Sequence, residues 1–241
     1  LGDVDPELPG FGLFDHAIVF VAGKQPLWID ATADSARVGT LPIGDQGRLA
    51  LIVDGSTTTL IKTPVSNATD NRIAYNIEIH LTDNGKGNIH ESLEAKGNFE
   101  LQMRSIFGGN DHEVRTALER RAKNSFDAES VGEFKVTRKD DFSQPFRLSD
   151  EIKNSGAVVT SLQDAAVRLS NGFVFEDLPF ALAPQRLTVN EEQKLRKHDF
   201  AVQTPYHSEV HFKIYPPADF NANQLPTPQH FETQAANYSS E

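Results

Sequence analysis

His16 and Asp30 flank two apolar runs, Ala17-Ile18-Val19-Phe20-Val21 and Leu27-Trp28-Ile29, joined by the turn-like Ala22-Gly23-Lys24-Gln25. Short runs of β-branched and aromatic residues on either side of such a turn read as a hairpin. A turn centred on Gly23 sets His16 opposite Asp30, and residues directly opposed on adjacent strands have Cβ atoms about 4.5–5.5 Å apart. A carboxylate in that place accepts from one imidazole nitrogen, fixes the tautomer and leaves the other nitrogen as a base. That is the orienting half of a catalytic triad, although many hairpins carry a His-Asp pair for structure alone.

What such a pair lacks is a nucleophile. The chain contains no cysteine, hence no disulfide, no thiolate zinc site and no thiol of its own. Serines and threonines are present, but no Gly-x-Ser-x-Gly elbow presents one. A second candidate is His207-Ser208-Glu209-Val210-His211. On a strand His207, Glu209 and His211 share one face and form a weak metal candidate, with the polar face of a strand backed by Val210, Phe212 and Ile214 as the plainer reading. Asp83-Asn84-Gly85 with Asp70 lacks the acidic spacing of a calcium loop and reads as a hairpin turn. Trp28 and the phenylalanines are weighed as a sugar-stacking platform against ordinary core packing. No metal and no cofactor is assigned.

The elements that must position these residues follow from periodicity. Ile73, Tyr75, Ile77, Ile79 and Leu81 alternate with polar residues, the pattern of a half-buried strand. Its partner, about Asn88 to Ala95, is polar on one face. Phe99, Met103 and Ile106 suggest a short helix ending at Gly108-Gly109. Asn110 caps a second helix, with Glu113 completing the box and Val114, Ala117, Leu118, Ala122 and Phe126 as its apolar stripe. On that helix Asp111 with Arg115 and Glu119 with Lys123 read as solvated pairs. Further strands are expected at 48–53 and 57–62 around Asp54-Gly55, and at 132–137, 146–152, 166–169, 173–175, 187–189, 197–202 and 209–215. This is a mainly β, α+β protein with a long-range antiparallel, sandwich-like domain and one or two short helices.

Composition narrows the function classes. The 241 residues are 38% hydrophobic with a formal net charge of −11, an ordinary globular mixture of the wrong sign for neutralising nucleic acid or an anionic surface. No apolar run approaches the roughly 20 residues of a membrane span, so no membrane insertion is expected. The chain opens Leu1-Gly2-Asp3 without an initiator methionine and reads as a piece of a longer polypeptide. The sequons Asn67-Ala68-Thr69 and Asn237-Tyr238-Ser239 matter only in a eukaryotic secretory route.

Phe14-Asp15-His16 with Trp28-Ile29-Asp30-Ala31-Thr32 resembles the C-terminal half of a bacterial transglutaminase-like core, a papain-like Cys-His-Asp fold. In that family the His opens one strand and the Asp ends the next in an aromatic-apolar-Asp-Pro-Thr motif; here Ala31 replaces the Pro and Asp15 stands where Asn is common. The run Gly39-Thr40-Leu41-Pro42, then Asp45-Gln46-Gly47-Arg48-Leu49-Ala50-Leu51, looks like the segment that follows in large exported bacterial proteins of this kind. The resemblance is carried by residues 13 to 53; residues 56–241 resemble more loosely the β-rich domain of unknown function found after such cores. It implies residues 1–55 as the end of the core and 56–241 as a separate domain. It also implies amide-bond acyl transfer or hydrolysis in the parent, with His16 as general base and Asp30 orienting it. The family's Cys lies upstream of the His strand, so this chain alone is expected to be inert, as a fragment or as a fold that has lost its chemistry. The family's setting implies the periplasm or cell surface. Expected partners are a protein or peptide substrate or a glycan, and the competing reading is a non-catalytic binding or assembly module in residues 56–241.

Overall fold

A computed structural model of the chain describes residues 14–169, 204–218, 220–222, 225, 227–233 and 236–241. The strand candidates at 173–175, 187–189 and 197–202 lie outside the described residues.

Two short hairpins come first. β1 (Val19–Val21) pairs antiparallel with β2 (Leu27–Ile29), and β3 (Leu49–Ala50) with β4 (Ile61–Lys62). β2 matches its apolar run, and the other three are shorter than theirs suggested. β3 and β4 are two residues each, and the chain between them turns at Asp54-Gly55 as expected, the Asp54 carbonyl accepting from the Thr57 amide and its side chain from Ser56.

The main sheet is built from β5 (Arg72–His80), β6 (Gly85–Ala95), β7 (Ala128–Val136), β8 (Phe146–Thr160), β9 (Ala165–Val167) and β10 (His207–Tyr215). Its order is β10-β5-β6-β8-β7, with β9 beside the far end of β8. The fold is mainly β and α+β, as expected. The pairings are antiparallel except β10 with β5, which run parallel, Val210 lying beside Tyr75. The alternation along β5 sends Ile73, Tyr75, Ile77 and Ile79 to one face, where each is at most 1% exposed. A final hairpin, β11 (Gln229–Glu232) with β12 (Asn237–Ser240), had no sequence expectation.

Two helices, α1 (Asn98–Ile106) and α2 (Asp111–Phe126), cover the apolar face. α2 starts where expected: the Asn110 side chain accepts from the amides of His112 and Glu113, and the Glu113 carboxylate accepts from the Asn110 amide. Val114, Leu118, Ala122 and Phe126 are buried against the sheet, the three larger side chains each contributing about 1.5–3 kcal/mol. Arg115 reaches the carbonyls of Val131 and Gly132 instead of pairing with Asp111.

α1 departs from its apolar reading. Met103 is buried, but Ile106 is 48% exposed, while Glu100 and Arg104 are buried. Arg104 donates to Glu100 one turn earlier and to the carbonyls of Arg138, Lys139, Asp141 and Gln144. Arg37 grips the other side of Glu100 at 2.8 and 2.9 Å and the carbonyls of Phe142 and Gln144. A five-donor guanidinium saturates a loop of carbonyls better than any apolar side chain, which is why the ion pair lies inside.

A second polar chain crosses position 55. Gln46 donates to the Leu41 carbonyl and accepts from the Ser66 amide at 2.9 Å, with the Thr204 hydroxyl at 3.4 Å. Asn71 donates to Thr204 and to the Pro205 carbonyl, and accepts from the Asn98 amide at the start of α1. Gly97 lets this happen: its φ is +65°, and a Cβ there would run into the Asp70 carbonyl and come within 2.5 Å of Asn71 Oδ1. The segment around Gln46 is thereby tied to the residue before β5 and to the start of α1.

Candidate functional site

His16 lies three residues before β1 and Asp30 directly after β2. The hairpin is centred one residue later than expected, on Lys24, pairing Val21 with Leu27 and Val19 with Ile29. His16 therefore meets Asp30 diagonally rather than head-on. The two side chains still share a face with Phe20 and Trp28, whose rings pack 4.7 Å apart. Trp28 is only 8% exposed, so that ring is part of the packing under the site and offers no sugar-stacking surface.

Nε2 of His16 is 3.4 Å from Asp30 Oδ1, at the outer limit of a hydrogen bond. The same Oδ1 accepts from the Thr32 amide at 2.9 Å and the Thr32 hydroxyl at 2.7 Å. The Asp-Ala-Thr run thus makes a tight local turn that pins the carboxylate before the histidine arrives. Burial opposes ionisation of Asp30, yet the two Thr32 bonds outweigh it and, with His16 adding to them, hold the carboxyl below its ordinary range.

Sequence reasoning missed a third group, Asp45. Its Oδ1 is 3.9 Å from the same Nε2 of His16. Asp45 ends a single 3-10 turn, Ile43–Asp45, entered through Pro42. The turn is held from behind: the Thr63 hydroxyl donates to the Asp45 carbonyl, the Arg48 amide donates to Thr63, and neighbouring Gln46 is in the buried polar chain. Burial, and next the charge of Asp30, push the Asp45 carboxyl up, while His16 and Arg48 pull it down. The signal for it was the acid in Asp45-Gln46-Gly47-Arg48, a segment carried by the family resemblance without a role assigned to it.

Nε2 faces both carboxylates, so Nδ1 is the nitrogen left for proton transfer. His16 is 40% exposed at its side chain, open enough for a reacting group to approach. The three atoms lie within 4.8 Å of one another, a spread that a small cation's ligands also show. A cation bound there would take the place of the proton on Nε2, so the ion-bound and the proton-bound arrangements are alternatives.

His207, Glu209 and His211 do share the outer face of β10. His211 Nε2 is 2.8 Å from Glu209 Oε1 and His207 Nε2 3.8 Å from Oε2, where the Arg72 guanidinium also sits. The arginine occupies the carboxylate that a cation would use.

A second group of charges lies between α2 and the sheet. Glu91 on β6 stands opposite Asp150 on β8, both inward, with Arg121 of α2 bonded to Glu91 and 3.5 Å from Asp150. Burial, and next the neighbouring Asp150, push Glu91 up to about 7 against the pull of Arg121, and burial also raises Asp150. Glu91 Oε1 and Asp150 Oδ1 have no hydrogen-bond partner among the described residues.

No family model, no curated protein and no solved structure matches this chain.

Proposed function

We propose that His16 and Asp30 are the base and orienting halves of an acyl-transfer centre acting on amide bonds, as transamidase or peptidase, completed by a thiol outside these 241 residues. The observation that carries this reading is the pinned carboxylate of Asp30 at 3.4 Å from Nε2; the resemblance of residues 13 to 53 to a transglutaminase-like core supports it. Nδ1 takes the proton of the thiol, and the thiolate attacks the amide carbonyl carbon. The resulting imidazolium, held by the carboxylates at Nε2, returns that proton to the departing amine, leaving a thioester. An incoming amine or water then displaces the thiol through the same base. The resemblance supports a periplasmic or cell-surface setting.

The test uses the protein as its native host produces it. Its intact mass and peptide map should reveal a cysteine-bearing segment alkylated by iodoacetamide, and incorporation of an amine into a glutamine-containing peptide should fall about 10²–10⁴-fold in His16→Ala. A native protein without a thiol, or transfer unaffected by His16→Ala, overturns the reading.

The second reading, a binding module in residues 56–241, has one observation in its favour. The outer face of the main sheet carries no covering layer among the described residues and presents His80, His90, His207 and His211 to solvent. Its test is capture of a protein or glycan that is indifferent to His16→Ala. No helix among the described residues is long and apolar enough to cross a membrane.

A further inference from the structure

We infer that Asp45 is a second positioning carboxylate for His16: Asp30 sets which nitrogen carries the proton, and Asp45 holds the positive charge that the ring acquires. The inference rests on the reading of His16 as a base. Its observations are geometric. Asp30 Oδ1 and Asp45 Oδ1 approach the same Nε2, at 3.4 and 3.9 Å, from two separate elements, the end of β2 and the 3-10 turn.

The two carboxylates are not equivalent. Asp30 Oδ1 is engaged by both Thr32 donors, which fixes its direction and makes it the acceptor that selects the tautomer. Asp45 Oδ2 is buried with no hydrogen-bond partner among the described residues, and its Oδ1 turns to the histidine. A carboxylate left with so few donors of its own gains most when a positive charge appears beside it, which happens when the imidazole takes up a proton. The charged groups facing His16 and Asp45 are these two carboxylates and Arg48; Arg48 donates its Nε proton to the Gly44 carbonyl and tempers the negative field of Asp45.

The turn that carries Asp45 is braced in a manner suited to this work. Thr63 and Arg48 hold its backbone, and Gln46 links the next residue through Thr204 to Asn71 and the start of α1. The backbone that carries the carboxylate is therefore held from both sides by Thr63, Arg48 and the chain from Gln46 to Asn71.

The experiment is an NMR titration of the His16 ring in the full chain, as wild type, Asp45→Asn, Asp45→Glu and Asp30→Asn. Asp45→Asn should lower the His16 titration midpoint by about half a pH unit or more at low salt while the proton stays on Nε2. Asp45→Glu should restore most of the midpoint. Asp30→Asn should instead redistribute the proton between the two nitrogens. Unchanged β3 and β4 amide shifts in Asp45→Asn show that the turn is intact; should they move, the Asp45 carboxyl ¹³C shift in wild type carries the test, a step at the His16 midpoint supporting the contact and no step there overturning it. An Asp45→Asn midpoint equal to that of wild type overturns the role of Asp45 and leaves the base intact, whereas an Asp30→Asn tautomer equal to that of wild type overturns the reading on which it rests.

Discussion

Two places in this molecule set a pair of carboxylates around one cationic group, and they use the same inventory in opposite ways. Around Arg121 the carboxylates of Glu91 and Asp150 are sealed between α2 and the sheet. Around His16 the carboxylates of Asp30 and Asp45 are shielded, but the ring between them is 40% exposed. Arginine keeps its charge at every accessible pH, so the buried group adjusts by protonating a carboxyl, which is why Glu91 rises to about 7. Histidine can gain and lose its charge near neutrality, so the exposed group can move the proton through the ring while Thr32 keeps Asp30 ionised, even though burial and Asp30 push the Asp45 carboxyl up. Solvent access and the choice of cation, more than the carboxylates, separate a structural clamp from a site able to transfer protons.

Substitution of the cation separates the two most strongly. Arg121→Met leaves two buried carboxyls facing each other and should cost about 3–5 kcal/mol in urea unfolding. His16→Ala, at a partly exposed ring on a hairpin edge, should change stability by no more than about 0.5 kcal/mol. Comparable losses from both would erase the distinction.

The pH dependence of stability comes next in size. Glu91 keeps its proton up to about pH 7 when folded and only to about 4.5 when unfolded. Its favourable contribution is thus fully present below 4.5 and is lost as pH rises through 7. Glu91→Gln should flatten the fall in melting temperature between about pH 4.5 and 7; an unchanged slope would locate that dependence elsewhere.

The smallest effect concerns the pinning of Asp30. Thr32→Val removes the 2.7 Å hydroxyl bond and should let the Asp30 carboxyl rise toward its ordinary range, at a cost of at most about 1 kcal/mol. The folded-state value of Asp30 is depressed, so its contribution is present above the ordinary 3.8 and lost as pH falls through the lowered value. Carboxyl ¹³C shifts in Thr32→Val should register the rise; their indifference would mean that Thr32 does not hold the carboxylate.

Much of this contrast can be traced in the residues. Period-two alternation marks β5, and Asn110 with Glu113 marks the start of α2, because both are local in sequence. Glu91 sits between Ile89 and Leu93, and Asp150 between Leu148 and Ile152, inward positions that the alternation already assigns. What joins them, Arg121 reaching across about thirty residues, depends on the docking of α2 and is invisible to periodicity. The burial of Glu100 and Arg104 likewise depends on carbonyls from 138 to 144 that only the fold assembles. At the candidate site, the pairing of His16 with Asp30 was legible from the hairpin, but the turn centre moved by one residue and each pairing by two, since Gly23 and Lys24 are both acceptable centres. Asp45 comes from a turn braced by Thr63 and, through Gln46, by Thr204, a long-range arrangement with no local mark. The parallel pairing of β10 with β5 is of the same kind.

The central claim, that Asp30 fixes His16 as a base with Nδ1 free, is tested most directly by long-range ¹H–¹⁵N NMR of the His16 ring above its titration. A neutral ring protonated at Nε2 is expected, shifting toward a mixture of tautomers in Asp30→Asn. A wild-type ring protonated at Nδ1 would contradict it.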